Sequence, residues 1–347
     1  KQTGFGALRV PAQFGGSDAS LAEVFDQLIQ IAAADSNVAH VWRGHIAFVE
    51  GIRRASPERA ERWFARLGAG ELVGNAQSEQ HQTSRLETRV ATEPDGPRLT
   101  GTKFYTTGSI YADWIHLVAL DDNEQRVALT VPARAAGVEI ADDWDGFGQQ
   151  LTGSGTTTFA QVAVDPTELN PDIDAIPWHG IGSLLQLGLL GVIAGIAQRA
   201  LDDTVAFVLP RERTFGFSGA TPPRDDELVQ LVIGRLSTAA KISRRLVLSV
   251  AADLGGALDG GATDEEFRDI HLDVFRLQQH LIEVVTAATS ELFEVGGAQA
   301  VTRKHGLDRH WRNVRTIASH NPVLQRTRAL GLFELSGTLP DWKAPGT

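Results

Sequence analysis

The spacing of apolar residues changes twice along this chain of 347 residues, and the order of the resulting patterns limits its fold. Apolar side chains recur at helical spacing over residues 20–67, alternate with period two over residues 71–165, and return to helical spacing after residue 178. Helices separated from strands in this way indicate an α+β fold without alternating βαβ units. We therefore predict an N-terminal helical domain, a central antiparallel β domain and a C-terminal four-helix bundle, over residues 1–70, 71–170 and 171–347.

The most apolar stretch, residues 181–197, bears on whether the protein enters a membrane. Gln186 and several glycines interrupt it and Arg199 follows closely, so we predict a buried helix and no membrane span. The formal net charge of −11 argues against nucleic acid and anionic lipid as partners, because both would be repelled. The chain has no cysteine, which excludes disulfides and thiolate metal sites, and we expect a cytoplasmic protein.

Residues 315–326 carry the most specific motif of the chain. They resemble the signature of the acyl-CoA dehydrogenase family, with Ser319 and His320 at the place of its catalytic glutamate. In that family the glutamate abstracts the proton α to a thioester carbonyl while the flavin accepts a hydride. A Ser-His pair removes the base that this reaction needs. The resemblance therefore implies a flavin protein with different chemistry.

Five further segments resemble the same family, in the same order, along nearly the whole chain. They are residues 5–16, 74–79, 101–109, 144–166 and 211–216. The run from Phe104 to Gly108 is more similar to the flavin-dependent monooxygenase branch, the dibenzothiophene monooxygenase-like branch, than to the dehydrogenases. Residues 1–6 read like the end of a helix already under way, so we expect further residues before Lys1.

The resemblance implies which side chains contact the flavin. Ser78 and Asn75 lie in the segment that faces the flavin pyrimidine, and Thr107 places a hydroxyl at the reactive nitrogen. A hydroxyl suits both redox states, because it can donate to a flavin oxygen or accept from a flavin N–H. Tyr105 replaces an aromatic residue beside the isoalloxazine, and Tyr105 and Trp144 are expected to line the substrate pocket.

Residues 211–216 resemble the phosphate-binding segment of the family, which places Phe215 at the cofactor. The residue three positions before Phe215 is Glu212, so either Arg211 or Arg213 is predicted to bind the phosphate with its guanidinium. Residues 294–298 keep the paired glycines of a turn that contacts the dinucleotide but lack its glutamine and third glycine. Reduced FMN and reduced FAD therefore both stay open as the cofactor.

Two histidines are predicted to converge on the flavin edge. His320 stands in the C-terminal motif beside Ser319, and His45 matches a histidine near the flavin in the monooxygenase branch. An imidazole can donate a hydrogen bond to a flavin C4a-hydroperoxide or protonate the leaving oxygen. We predict His320, His45 and Ser319 as catalytic residues, whereas His40 is expected to be exposed. No histidine spacing indicates a metal site.

The resemblance implies a two-component flavin-dependent monooxygenase. A separate NAD(P)H:flavin reductase would supply reduced FMN or FAD, and O2 would form a C4a-hydroperoxyflavin that oxygenates sulfur, nitrogen or activated carbon in a small organic molecule. Apolar residues suggest an uncharged or aromatic substrate. The family also implies a homotetramer, in which the apolar helix over residues 267–293 would be buried between subunits.

Two other functions stay open on the sequence alone. A dehydrogenase acting on an acyl thioester could carry its base on another helix, and an acyl-CoA would then bleach its bound flavin without O2. A catalytically silent protein used for assembly would retain no flavin, and replacing His320 by alanine would have no effect.

Overall fold

The computed structural model describes residues 3–80, 86–170, 176–214 and 221–340. Helices α1 (Leu21–Ala34), α2 (Ser36–Ile52) and α3 (Pro57–Gly68) come first. Ser20 begins α1 through a capping box with Glu23, and the Asp35 carboxylate accepts hydrogen bonds from the first N–H groups of α2. Because Asp35 is the one residue between α1 and α2, this cap fixes the direction in which α2 leaves α1.

The middle of the chain forms a seven-stranded sheet. Its strands are β1 (Val73–Ala76), β2 (Arg89–Glu93), β3 (Gly96–Lys103), β4 (Trp114–Leu120), β5 (Arg126–Pro132), β6 (Val138–Ile140) and β7 (Thr157–Ala163). The strand order is β1-β4-β2-β3-β7-β6, and β5 pairs with β4.

The predicted antiparallel arrangement is wrong for two pairs of strands. Strand β4 runs parallel to β1 and to β2, so the sheet is mixed. Alternation with period two reports which face of a strand is buried, and it carries no information about strand direction. The parallel pairing of β1 with β4 arises because the β2–β3 hairpin is inserted between them along the chain.

The C-terminal part is helical, as predicted. Its helices are α4 (Trp178–Val208), α5 (Glu227–Gly260), α6 (Asp264–Glu291), α7 (Asp308–Ala318) and α8 (Val323–Ser336). Helices α4, α5 and α6 pack against one another, α7 packs against α4 and α6, and α8 packs against α6. The predicted four-helix bundle is therefore built from three long helices and completed by two short ones.

Helix α4 is long and apolar enough to cross a membrane, but 83% of its most apolar window is buried inside the protein. Its neighbours are α1 and α2, which precede it in the chain, and α5, α6 and α7, which follow it. A helix that is apolar around its whole circumference is expected where every face is covered by protein. Helix α4 is thus the central helix of the fold, as the interrupted apolar stretch predicted.

Helix α6 is covered by its own chain. The apolar residues that wrap its faces are all buried without any partner subunit: Leu272, Val274, Phe275, Leu277, Leu281, Ile282 and Val285. These side chains therefore need no second subunit to cover them, and the homotetramer stays a prediction. Exposed apolar side chains lie instead on α5, where Leu228, Leu231, Ile242 and Leu246 share one side of the helix.

Buried apolar residues form separate clusters. The largest joins residues of α1 and α2 to the C-terminal helices, a second fills the interior of the sheet, and a third lies between α2, α3 and β1. Helices before residue 70 thus share a core with the helices after residue 176. The domain boundaries at residues 70 and 170 stay a prediction.

Candidate active site

His40 lies on α2 and is 5% exposed, which contradicts the expectation that it is exposed. The Gln149 side-chain amide donates a hydrogen bond to His40 Nδ1 at 3.1 Å, so the ring hydrogen must be on Nε2. Within the described ranges, His40 Nε2 is buried and has no hydrogen-bond partner. An unpaired buried N–H costs about 1–3 kcal/mol, so it marks a position where a ligand acceptor is expected.

Gln149 holds His40 in this tautomer. Its side chain is almost fully buried, its Oε1 accepts from Ser36 Oγ at 2.7 Å, and its Nε2 also donates to the Ser36 carbonyl at 3.1 Å. The backbone of Gln149 is left-handed, with φ of 51°, which is unfavourable for a residue with a side chain. Asn313 on α7 accepts from its backbone N–H at 2.8 Å. Gln149 therefore connects its own loop to α2 and α7.

His320 lies near His40, and the space between the two rings is called the cleft below. The two ring centroids are 6.5 Å apart, and His320 Nε2 lies 3.4 Å from Nη1 of Arg43. The His320 side chain is exposed, with Arg43 and His40 beside it. Burial, followed by the charges of Arg43 and His40, holds the pKa of His320 well below its usual value. Burial and the charge of Arg43 lower the pKa of His40 to about 3, so both rings are neutral at pH 7.

Ser319 ends α7 beside His320. Its hydroxyl donates to the Arg315 carbonyl at 2.9 Å, within its own helix, and the side chain is exposed. The structure thus places Ser319 next to the cleft, with its hydrogen already used by the helix.

Both ring nitrogens of His45 are hydrogen-bonded to the backbone. Its Nε2 donates to the Gly6 carbonyl at 2.9 Å and its Nδ1 accepts from the Val73 N–H at 3.1 Å, so both ring nitrogens are used by backbone groups. The ring is 1% exposed, and burial lowers its pKa to about 4. These bonds join α2 to β1 and to the turn at Gly6. The geometry thus supports a structural role for His45 and offers no free nitrogen for catalysis.

Thr107 belongs to a chain of buried hydroxyl groups. Its Oγ1 is 2.7 Å from Ser154 Oγ, which is 2.7 Å from Thr152 Oγ1, and Thr152 Oγ1 donates to the Gln149 carbonyl at 2.9 Å. Each hydroxyl has one hydrogen to give, so Ser154 donates to Thr152 and Thr107 donates to Ser154. The contact of Thr107 Oγ1 with the Tyr105 carbonyl, at 3.5 Å, is too long to compete. Thr107 Oγ1 is left as an acceptor for a ligand.

An aromatic rim borders this hydroxyl chain. Tyr105 is half exposed, its ring meets the ring of Trp144 edge to face at 6.1 Å, and its backbone is left-handed with φ of 56°. A strained backbone at a bulky residue is a common sign of a functional position. Ser78 is exposed and pairs with Phe104 through the backbone, and Asn75 Nδ2 reaches the Thr107 carbonyl at 3.5 Å. Asn75 on β1 and Ser78 just after it therefore lie next to the turn after β3 that carries Tyr105 and Thr107.

The two candidate phosphate ligands differ in their surroundings. Arg211 donates to the Val295 carbonyl at 2.8 Å, stacks over the Phe207 ring at 4.8 Å and lines a cavity of about 320 Å³. Arg213 is exposed and has no hydrogen bond or ion pair within the described residues. The third member of the predicted segment, Phe215, lies outside the described residues.

These features fit a bound flavin. The rim offers aromatic surface, Thr107 offers an acceptor, and His40 offers a buried donor that lacks a partner among the described residues. Such a mixture of apolar walls and a few directed polar groups is typical of cofactor sites.

Comparison with known proteins agrees with this reading. Residues 187–324 match the family model for the acyl-CoA dehydrogenase C-terminal domain. The chain is 30% identical to dibenzothiophene monooxygenase of Rhodococcus erythropolis, over 96% of this chain and 85% of that protein. It is 28% identical to the probable FMNH2-dependent monooxygenase SfnC of Pseudomonas putida, over 98% of this chain and 87% of that protein.

A solved structure with the same architecture is FMN-bound TdsC from Paenibacillus sp. A11-2, with a TM-score of 0.92 and 27% identity. The superposition covers all of this chain and 91% of that chain. The α+β fold and the family that the sequence motifs predicted are confirmed. The chain therefore belongs to the flavin-dependent monooxygenases with the acyl-CoA dehydrogenase fold, in the branch that contains dibenzothiophene monooxygenase.

Proposed function

We propose that this enzyme is the oxygenase of a two-component system. It receives reduced flavin from a separate NAD(P)H:flavin reductase and uses O2 to oxygenate a small organic substrate, with sulfur favoured over nitrogen or activated carbon by its relatives. The reduced flavin supplies two electrons, and O2 supplies the oxygen atom. The observation that carries the proposal is the buried Nε2–H of His40, which has no partner among the described residues and lies near His320, at the place where the dehydrogenases have a carboxylate base.

We assign His40 and His320 as the catalytic pair, and His45 is no longer a member. His40 donates a hydrogen bond from Nε2 to an oxygen in the cleft, and Gln149 keeps that hydrogen in place. His320 holds or accepts a proton on the opposite wall, next to Ser319. Neutral imidazoles suit this role, because they can stabilise a developing negative charge on oxygen without a fixed positive charge of their own.

A dehydrogenase is disfavoured by the same cleft. In the described part of the chain, no carboxylate forms a hydrogen bond or an ion pair with His40, His320 or Arg43. A dehydrogenase needs a carboxylate base at this position to abstract the proton α to the thioester carbonyl.

We assign the flavin contacts to Thr107, Ser78 and Asn75, with Tyr105 and Trp144 forming the pocket wall. Reduced flavin carries an N–H at its reactive nitrogen, and Thr107 Oγ1 is the acceptor that the hydroxyl chain leaves free. Arg211 is the better candidate for the phosphate, because it lines a cavity, whereas Arg213 lies on the open surface.

The enzyme is proposed to act as a homotetramer in the cytoplasm, where a reductase finds NAD(P)H. Support for assembly comes from α5, on which Leu228 and Leu231 are 72% and 50% exposed. A stripe of exposed leucine and isoleucine along one side of a helix is costly in water and is typical of an interface.

The function is tested by incubating the enzyme with a flavin reductase, NADH, FMN and ¹⁸O2. Thioethers, sulfinates and amines serve as trial substrates, and mass spectrometry detects the labelled product. We expect one ¹⁸O atom in a product, and we expect His40→Gln and His320→Gln to divert O2 to H2O2. His280→Gln, on an exposed part of α6, is the matched control. If every trial substrate stays unlabelled and H2O2 forms as fast as with free reduced FMN, the proposal is wrong.

A further inference from the structure

The hydroxyl chain of Thr107, Ser154 and Thr152 ends on a group that can only accept hydrogen bonds. Its last bond runs from Thr152 Oγ1 to the backbone carbonyl of Gln149 at 2.9 Å, and a carbonyl oxygen has no hydrogen to give back. Each hydroxyl has one hydrogen to give. The bond at Gln149 therefore sets the direction of the two 2.7 Å contacts, from Ser154 to Thr152 and from Thr107 to Ser154.

The Gln149 carbonyl is held in place by the turn that begins at this residue. It accepts from the Thr152 N–H at 3.4 Å as well as from the Thr152 hydroxyl. Within the turn, the Leu151 N–H donates to the side chain of Asn37 at 3.1 Å, and the Gln149 N–H donates to the side chain of Asn313 at 2.8 Å. The accepting end of the hydroxyl chain is therefore fixed by several hydrogen bonds.

The two backbone segments that carry the hydroxyl chain are also joined directly. The Gly108 N–H donates to the Thr152 carbonyl and the Thr106 N–H donates to the Gly155 carbonyl, both at 3.0 Å. These bonds flank the hydroxyl chain along both segments. All three hydroxyl side chains are buried, so their hydrogens are committed to one another and to the Gln149 carbonyl.

At the other end of the hydroxyl chain, Thr107 Oγ1 can accept a hydrogen bond but has no hydrogen left to give. Reduced flavin presents an N–H at its reactive nitrogen, whereas oxidised flavin presents a lone pair there. An N–H beside Thr107 adds one bond to the three that the chain already makes. A lone pair is either repelled by the Thr107 oxygen or requires all three hydroxyls to turn round, and the Gln149 carbonyl then loses its hydroxyl donor. The reduced form thus gains a hydrogen bond that the oxidised form can gain only by breaking another.

Building on the proposed function and its contact between Thr107 and the flavin, we propose that Ser154 and Thr152 are positioning residues that make the site selective for reduced flavin. They act through Thr107, because they commit its hydrogen to the protein. One net hydrogen bond corresponds to a difference in affinity of about tenfold. This selectivity suits a two-component oxygenase, because flavin has to enter the site reduced and leave it oxidised.

The proposal is tested by interrupting the hydroxyl chain at two places. Ser154→Ala leaves Thr107 free to donate or to accept, so the ratio of the Kd for oxidised FMN to the Kd for reduced FMN should fall ~10-fold. Thr152→Val leaves Ser154 without an acceptor. Ser154 then donates to Thr107, and the ratio should fall at least as far. Anaerobic titrations with oxidised FMN and with chemically reduced FMN, followed by tryptophan fluorescence, give the two Kd values.

The midpoint potential of bound FMN measures the same ratio independently. Because the reduction takes two electrons, a tenfold fall in the ratio lowers this potential by ~30 mV. Thr152→Ser keeps the hydroxyl and should keep the potential of the parent protein. Thr157→Val is the matched control, because the buried Thr157 hydroxyl lies 2.8 Å from Thr106 Oγ1 and is not a member of the hydroxyl chain. A purely structural role for Ser154 and Thr152 would weaken the binding of both redox states alike and leave the potential unchanged.

An unchanged ratio in both Ser154→Ala and Thr152→Val would overturn the proposal, and so would an equal fall in Thr157→Val. If Ser154→Ala does not fold, Thr152→Val and Thr152→Ser decide. The ¹⁸O2 experiment distinguishes this failure from failure of the proposed function. Labelled product together with an unchanged ratio removes the role of the hydroxyl chain and keeps the monooxygenase. A lowered ratio with no labelled product from any trial substrate does the reverse.

Discussion

Acidification below pH 7 should destabilise this protein through histidines that are buried in neutral form. His40, His45 and His271 are 5%, 1% and 4% exposed, and burial is the main cause that lowers their pKa values to about 3, about 4 and about 3. An unfolded histidine has a pKa of about 6.5, so the unfolded chain binds protons first as the pH falls. Their contribution to stability is therefore complete above about pH 6.5 and is lost as the pH falls from there toward the folded pKa values.

The size of the effect follows from linkage. Between about pH 7.5 and about pH 5.5, each such histidine takes up almost one proton on unfolding, which lowers the free energy of unfolding by about 1.3 kcal/mol. Three of them give about 4 kcal/mol, a large share of the ~5–15 kcal/mol that stabilises a typical domain. Carboxylates such as Asp203, whose pKa is lowered to about 2, contribute only at a lower pH, because unfolded carboxyl groups titrate near about pH 4.

Urea unfolding at the two pH values, followed by tryptophan fluorescence, measures the change. His271→Gln should show a loss that is about 1.3 kcal/mol smaller than that of the parent protein, whereas His280→Gln, at an exposed position, should match the parent. A loss below about 1 kcal/mol in the parent, or the same pH dependence in His271→Gln as in the parent, would refute the reasoning.

Four other predictions concern the site and the assembly. Gln149→Leu removes the amide that fixes the His40 tautomer. In this variant ¹⁵N NMR should no longer show a single Nε2–H form of His40, and product formation should fall ~10-fold. An unchanged ¹⁵N spectrum would contradict the prediction. Thr107→Val should weaken the binding of reduced FMN ~10-fold and that of oxidised FMN less, and equal losses in anaerobic titrations would argue against an acceptor role. Arg211→Gln should weaken FMN binding ~10-fold in equilibrium dialysis, with Arg213→Gln as the control; the opposite result assigns the phosphate to Arg213. Leu231→Glu should dissociate the proposed tetramer in analytical ultracentrifugation, and an unchanged mass would exclude α5 from the interface.

Much of the architecture could be predicted because its signals are local. Helical spacing and period-two alternation identified the element order and the central apolar helix. Strand direction could not be predicted, because the parallel pairing of β1 with β4 depends on where the β2–β3 hairpin is inserted.

The sequence could not decide which of His40 and His45 to propose as a catalytic residue, and the reason is geometric. Both lie on α2, five residues apart, and therefore point to different sides of the helix. Which side faces the cleft depends on how α2 packs against β1 and the turn at Gly6. The contact of Gln149 with His40 could not be predicted either, since Gln149 lies in a segment rich in glycine and serine that is typical of an ordinary loop. Its role appears only once Ser36, His40 and Asn313 are brought to it from distant parts of the chain.

The central position of α4 has a consequence for how the chain is made. Helices α1 and α2, which cover one side of it, leave the ribosome before it, whereas α5 and α6, which cover the other side, leave after it. At a synthesis rate of about 5–20 residues per second, the uncovered side of α4 stays exposed for on the order of ten seconds while residues 209–291 are translated. During that interval the growing chain presents its most apolar helix to the cell, which makes α4 the segment most in need of a chaperone.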